Sequence, residues 1–128
     1  MVEEITRGIS VSVRPLYVGQ IQTMHCKYQA FKYQITIRNQ SKFTVQLLKR
    51  YWEIYDALND SESVSGTGVV GKTPVIGVNE SYTYQSNCYL IGSFGSMKGH
   101  YLMYSPSNKD TFKVVIPSFS LQAQPSLN

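Results

Sequence analysis

Apolar and polar residues alternate with a period of two along most of the chain, the pattern of strands that bury one face. Ile9, Val11 and Val13 alternate with Ser10, Ser12 and Arg14, so a first strand is expected over 9–14, with Pro15 marking an edge or a bend. A polar connection through residues 18 to 26 leads to Phe31, Tyr33, Ile35 and Ile37, which face opposite to Lys32, Gln34, Thr36 and Arg38. After the turn residues Asn39-Gln40-Ser41-Lys42, a strand runs from about Thr44 to Leu58, and its apolar phase changes between Leu47 and Leu48, which predicts a β-bulge. Beyond that break Arg50, Trp52, Ile54 and Asp56 share one parity, while Tyr51, Glu53 and Tyr55 take the other.

Further strands are expected over Ser61–Ser65, Glu80–Leu90 and Met97–Tyr104, the last two joined by Gly92-Ser93-Phe94-Gly95-Ser96. A final strand begins near Thr111 and shifts phase at Pro117. No segment carries a convincing helical period of 3.6. About seven strands joined by turn-rich loops predict an all-β fold, a sandwich of two antiparallel sheets in a single domain, ordered over about residues 5–122. Residues 1 to 4 and the polar tail from Gln122 to Asn128 are expected to be mobile.

Composition agrees with this picture. The 128 residues are 42% hydrophobic and 16% charged, and ten Tyr and five Phe suit half-buried strands. A chain of this length buries a core without disulfides, so Cys26 and Cys88, far apart and outside any Cys-x-x-Cys pair, are read as free thiols. There is no apolar run of about 18 residues, and Met1-Val2-Glu3-Glu4 places acids where a secretory signal places bases. A cytoplasmic protein without membrane contact is expected.

The net charge of +4 hides an asymmetry, because residues 5 to 52 hold eight bases and no acid. Alternation distributes those bases over separate strands, so they read as solvated faces and nucleic-acid binding ranks low.

The segments Val13-Arg14-Pro15, Ile35-Thr36-Ile37-Arg38-Asn39, Gln46-Leu47-Leu48-Lys49-Arg50-Tyr51-Trp52, Gly66-Thr67-Gly68-Val69-Val70-Gly71, Gly95-Ser96-Met97-Lys98-Gly99-His100-Tyr101-Leu102-Met103 and Val114-Val115-Ile116-Pro117-Ser118-Phe119 occur in this order. Together they resemble the ApaG family over roughly residues 5 to 122. The resemblance implies an immunoglobulin-like, fibronectin type III-like sandwich of bacterial origin with no established enzymatic activity. Related domains in F-box proteins and in a polymerase-delta-interacting protein imply a role in protein interaction. The family is also associated genetically with cobalt resistance and magnesium transport, which does not make it a metal-binding protein. Asn59 and Asn79 stand at turns where family members often carry glycine, a mild departure because Asn tolerates positive φ.

Gly66-Thr67-Gly68-Val69-Val70-Gly71 matches the Gly-x-Gly-x-x-Gly pattern that approaches a pyrophosphate beneath a helix. Lys72-Thr73-Pro74-Val75 follows at once and rules against that helix. What survives is a loop whose backbone amides meet an anion, with Arg50 and Lys72 adding charge, set against a purely structural loop with Val69 and Val70 packed inward. Arg50 and Trp52 are expected either to form an aromatic-cationic patch or to divide, with Trp52 in the core and Arg50 paired to Asp56 or another acid. The candidate binding residues are therefore Arg50, Trp52, Gly66, Thr67, Gly68, Gly71 and Lys72.

His25, Cys26, Cys88 and His100 are the best soft ligands, but adjacent His25 and Cys26 rarely converge on one ion, and neither a metal nor any other cofactor is expected. No nucleophile motif accompanies either histidine, so no catalytic residue is assigned, and Asp56, Asp60 and Glu62 are read as acids solvating a turn. The expected function is a non-catalytic module for an unidentified protein partner. The alternative is a site for a phosphate-containing anion.

Overall fold

The computed structural model describes residues 1–123, which form nine strands: β1 (Val2–Thr6), β2 (Ile9–Gln22), β3 (Lys27–Asn39), β4 (Val45–Asp56), β5 (Asn59–Thr67), β6 (Val75–Ile76), β7 (Ser81–Leu90), β8 (Phe94–Ser105) and β9 (Asp110–Gln122). The rest of the tail expected to be mobile, residues 124 to 128, lies outside the described residues. One sheet has the order β1-β2-β3-β7 and the other β5-β4-β8-β9, with β6 added to β4, and every pairing is antiparallel. The fold is the expected immunoglobulin-like, fibronectin type III-like sandwich, with nine strands in place of seven.

The inward residues of both sheets form one core. Ile9, Val11, Val13, Phe31, Ile35 and Ile37 meet Leu47, Trp52, Met97, Tyr101, Val114 and Ile116. Trp52 is only 3% exposed and packs edge-on against Tyr33 and Phe119, with centroid distances of 5.5 and 5.9 Å. The hydroxyls of Tyr84 and Tyr101 hydrogen-bond to each other inside this core. Desolvation raises the pKa of both phenols, so both remain neutral, one donating to the oxygen of the other.

The predicted bulge in β4 is present, since its register against β8 shifts between Leu47 and Lys49. The phase shift at Pro117 likewise coincides with a register shift between β8 and β9. The two added strands have local causes. Arg7 and Gly8 take φ values of 48° and 82°, the two-residue turn that matches strand twist, and this closes β1 onto β2 with Val2 opposite Val13. Residues 2 to 4 are therefore paired, contrary to the expected mobility of the amino terminus. β6 is held by Asn39, a buried turn residue whose Nδ2 donates to the carbonyls of Phe43 and Ile76.

The expected connection over 18 to 26 is instead mostly strand, because a register shift at Gly19 lets β2 and β3 continue as a hairpin to a turn at Thr23–Cys26. Asn79 adopts the positive φ of 65° that its residue type tolerates, whereas Asn59 begins β5.

Asp56 neither pairs with Arg50 nor solvates a turn. It is buried and accepts the backbone N–H groups of Leu58, Ile91 and Gly92, clipping the β4–β5 turn to the β7–β8 turn.

The two sides of the sandwich differ. On one side β1 packs beside β9, and the Val115 N–H donates to Thr6 Oγ1 at 3.2 Å. On the other, β7 and β5 end their sheets, and a cleft opens between them. Among the described residues no helix is long and apolar enough to cross a membrane.

Candidate functional site

The cleft is built on the parity of β4 beyond its bulge. Arg50, Trp52 and Ile54 face inward and stand opposite Gly66, Val64 and Glu62 of β5. Across the opening lie Ser86, Asn87 and Cys88 of β7, with Tyr33 beneath. Two adjoining cavities of about 300 and 310 Å³ share Tyr33, Arg50, Trp52, Ser86 and Asn87, which makes the cleft continuous.

Arg50 is its central charge. The side chain is half-buried, and Nη1 donates to the carbonyls of Thr67 and Gly68 at 3.1 and 2.9 Å. A Cβ on Gly66 would lie 2.8–2.9 Å from Nη2, Cζ and Nη1, so the guanidinium lies across the strand where a side chain would otherwise stand. Gly66 is thus a space-making glycine. The ion pairs among the described residues are Arg7–Asp110 and Lys98–Glu53, so no carboxylate neutralises Arg50 there.

The glycine loop serves this arrangement. Gly68 takes φ 65°, a Cβ there would lie 2.1 Å from the Lys72 carbonyl oxygen, and its N–H donates to the Leu48 carbonyl at 2.8 Å. Val70 and Gly71, with φ 48° and 75°, form a tight turn in which Val69 and Lys72 exchange both backbone hydrogen bonds. The amides of Gly68, Val69 and Lys72 are therefore already taken by carbonyls, and the loop turns carbonyls toward Arg50. Val69 is buried as expected, but Val70 is 63% exposed. Thr67 and Lys72 are exposed, and neither lines the cleft.

Of the predicted site residues, the structure brings together Arg50, Trp52 and Gly71, with Gly66 and Gly68 shaping the place of Arg50. Trp52 forms the buried floor of the cleft and not an exposed patch. Tyr33, Glu62, Val64, Ser86 and Asn87 were not predicted, because they join the site through pairings between distant strands. Burial raises the Tyr33 phenol's pKa, against the lowering influence of Ser86 and Arg50, and burial pushes the Cys88 thiol up to about 11, aided by Glu62 and Asp56.

The soft ligands stay apart. His25 is exposed near the β2–β3 turn with Cys26, Cys88 is buried in β7, and His100 stacks on Tyr51 at 5.1 Å. Among the described residues no three His, Cys, Asp or Glu side chains are grouped to hold a metal ion.

Fold and site together define an immunoglobulin-like sandwich with one closed side and one open cleft lined by Arg50 and Glu62. The model of the ApaG domain matches residues 20–105, and the chain belongs to the ApaG family. It is 44% identical to Protein ApaG of Mesorhizobium japonicum and 42% identical to that of Brucella abortus, in each case over 121 residues, 94% of this chain and 92% of the relative. Among solved structures it is similar to a structural-genomics target determined by X-ray crystallography, with a TM-score of 0.86, 38% identity and coverage of 94% of this chain and 90% of that one. It is also similar to a Bordetella pertussis protein provisionally called ApaA, with a TM-score of 0.80, 30% identity and coverage of 92% and 95%.

Proposed function

We propose that this chain is a non-catalytic binding module that takes an extended segment of a partner protein as an additional strand on β5. The observation that carries this reading is β5 itself, nine residues paired on one side only and exposed almost throughout, at the lip of a cleft containing an unneutralised Arg50. The Gly68 N–H bonds the Leu48 carbonyl. Antiparallel alternation continues that bonding to the even-numbered residues of β5 and turns the N–H and C=O groups of Ser61, Ser63 and Ser65 to the free edge. Such a row is what an incoming strand pairs with, and cleft side chains then supply selectivity.

The test is selection from a displayed library of random peptides, followed by backbone NMR mapping of a selected peptide. The expected result is shifts and exchange protection along β5 that Ser63→Pro abolishes, because proline removes an outward N–H at a position where an edge strand tolerates it. Peptides that map elsewhere, or that bind the folded proline variant equally well, would overturn the reading.

The unneutralised charge of Arg50 also supports a second reading, a phosphate-containing anion held in the cleft by the Arg50 guanidinium, without the loop amides, which bond to carbonyls, or Lys72, which lies outside the cleft. Titration with pyrophosphate at physiological salt separates the two. Shifts confined to Arg50 and its neighbours in the cleft support the anion site, and weak shifts spread over the lysines remove it.

A further inference from the structure

Resting on the strand-addition reading, we infer that the cleft selects a segment with an acidic, an apolar and a basic residue at alternate positions, in that order from N to C. Inward positions on β5 are Gly66, Val64 and Glu62, opposite Arg50, Trp52 and Ile54. At one end the Arg50 guanidinium reaches across Gly66 toward the free edge without a carboxylate among the ion pairs of the described residues. In the middle, Val64 is exposed above buried Trp52. At the other end Glu62 lines the cleft, is exposed, and belongs to neither of those ion pairs.

Four residues along a strand separate the two charged ends by about 13 Å. The even-numbered β5 residues bond inward to β4, so an added strand faces them in non-hydrogen-bonded pairs, in which opposing side chains approach most closely. An antiparallel segment running against β5 meets Gly66 first, then Val64, then Glu62. Its first inward residue has to be Asp or Glu to engage the planar donors of Arg50, which suit a carboxylate. Its second fills the apolar middle, and its third is Lys or Arg against Glu62. The opposite charge order sets like charges together at both ends, so the cleft also rejects wrong partners.

The experiment uses the full chain and two capped synthetic peptides of identical composition, one carrying Asp, Leu and Lys at alternate positions among Thr and Ser, the other carrying Lys, Leu and Asp. Affinity is read by backbone NMR titration. The acid-first peptide is expected to shift β5 and to bind about tenfold tighter than the reversed one. Glu62→Lys is expected to weaken the acid-first peptide and to restore binding when that peptide's Lys is replaced by Glu. Equal affinities, or a Glu62→Lys variant without this exchange of preference, would overturn the charge order while β5 shifts leave strand addition standing. If neither peptide perturbs β5 at concentrations where library-selected peptides do, the charge order fails alone. If no peptide of any kind perturbs it, strand addition fails as well.

Discussion

Removing the Asp56 carboxylate should destabilise the whole sandwich, because this one side chain serves three backbone donors in two separate turns. Its Oδ1 accepts from Leu58 and Gly92 at 3.1 and 2.8 Å, and its Oδ2 accepts from Ile91 at 2.7 Å. In Asp56→Ala the Gly92 amide stays buried without a partner. A hydrogen bond to a charged group contributes about 1.5–3 kcal/mol at such a position. Leu58 is 73% exposed and Ile91 is half-buried, so water replaces much of what their amides lose, leaving about 0.5–1 kcal/mol each.

The sum is about 2.5–5 kcal/mol, a large part of the roughly 5–15 kcal/mol that holds a domain folded. It corresponds to a fall in Tm of about 10–20 °C. Asp56→Asn keeps one acceptor but sets an NH₂ against one of the N–H donors, and it should lose about half as much. Urea unfolding followed by fluorescence of Trp52, the sole tryptophan, measures both, with the midpoint lowered and the slope unchanged. An alanine variant within about 1 kcal/mol of wild type, or an asparagine variant no more stable than alanine, would refute the clip.

Two further outcomes follow from buried polar groups. Tyr84→Phe should cost about 1–3 kcal/mol because it strands the fully buried Tyr101 hydroxyl, Tyr101→Phe should cost less because Tyr84 is 9% exposed, and the double variant should cost clearly less than the sum. Additive costs in urea melts would refute the pairing. Cys88, with its thiol pushed up to about 11, is about one part in a thousand thiolate at pH 8. Iodoacetamide should therefore modify Cys26 in the native protein and reach Cys88 only on unfolding or at strongly alkaline pH, and equal native rates by mass spectrometry would contradict its burial.

Much of the scaffold was legible because alternation reports burial directly. The phase break at Leu47–Leu48 became a bulge and the break at Pro117 a register shift, and the parity of Arg50 and Trp52 put both on the inner face of β4. The amino-terminal hairpin was not legible because Arg7, a residue that seldom takes positive φ, stands at a position where Asn or Asp would have announced the turn. The glycine pattern misled for a related reason. Its spacing matches a phosphate loop, yet Gly66 makes room for a guanidinium and Gly68 for the Lys72 carbonyl. Those neighbours are fixed by the pairing of β4 with β5 and by a tight turn, and periodicity within a single strand carries neither.

The asymmetry of the sandwich connects fold to function. A sheet edge left unpaired invites association, and proteins restrain it by pairing, covering or charging the edge. Here β1 packs beside β9 on one side, whereas β5 on the other is left to the polar Ser61, Ser63 and Ser65 and to the charge of Glu62. Serines keep the edge hydrated without blocking its backbone, unlike a proline or an inward lysine. Self-association of two β5 edges in an antiparallel pairing about Val64 would set Glu62 of each copy opposite Gly66 of the other, so each carboxylate would meet the partner copy's guanidinium. The same charges that select a foreign strand thus favour one register of self-pairing, and because both would occupy the single free edge of β5, a tight peptide ligand and a dimer are predicted to compete for it. Sedimentation at rising protein concentration, with and without a saturating peptide, reads that competition directly. A dimer unaffected by the peptide would place self-association on some surface other than β5.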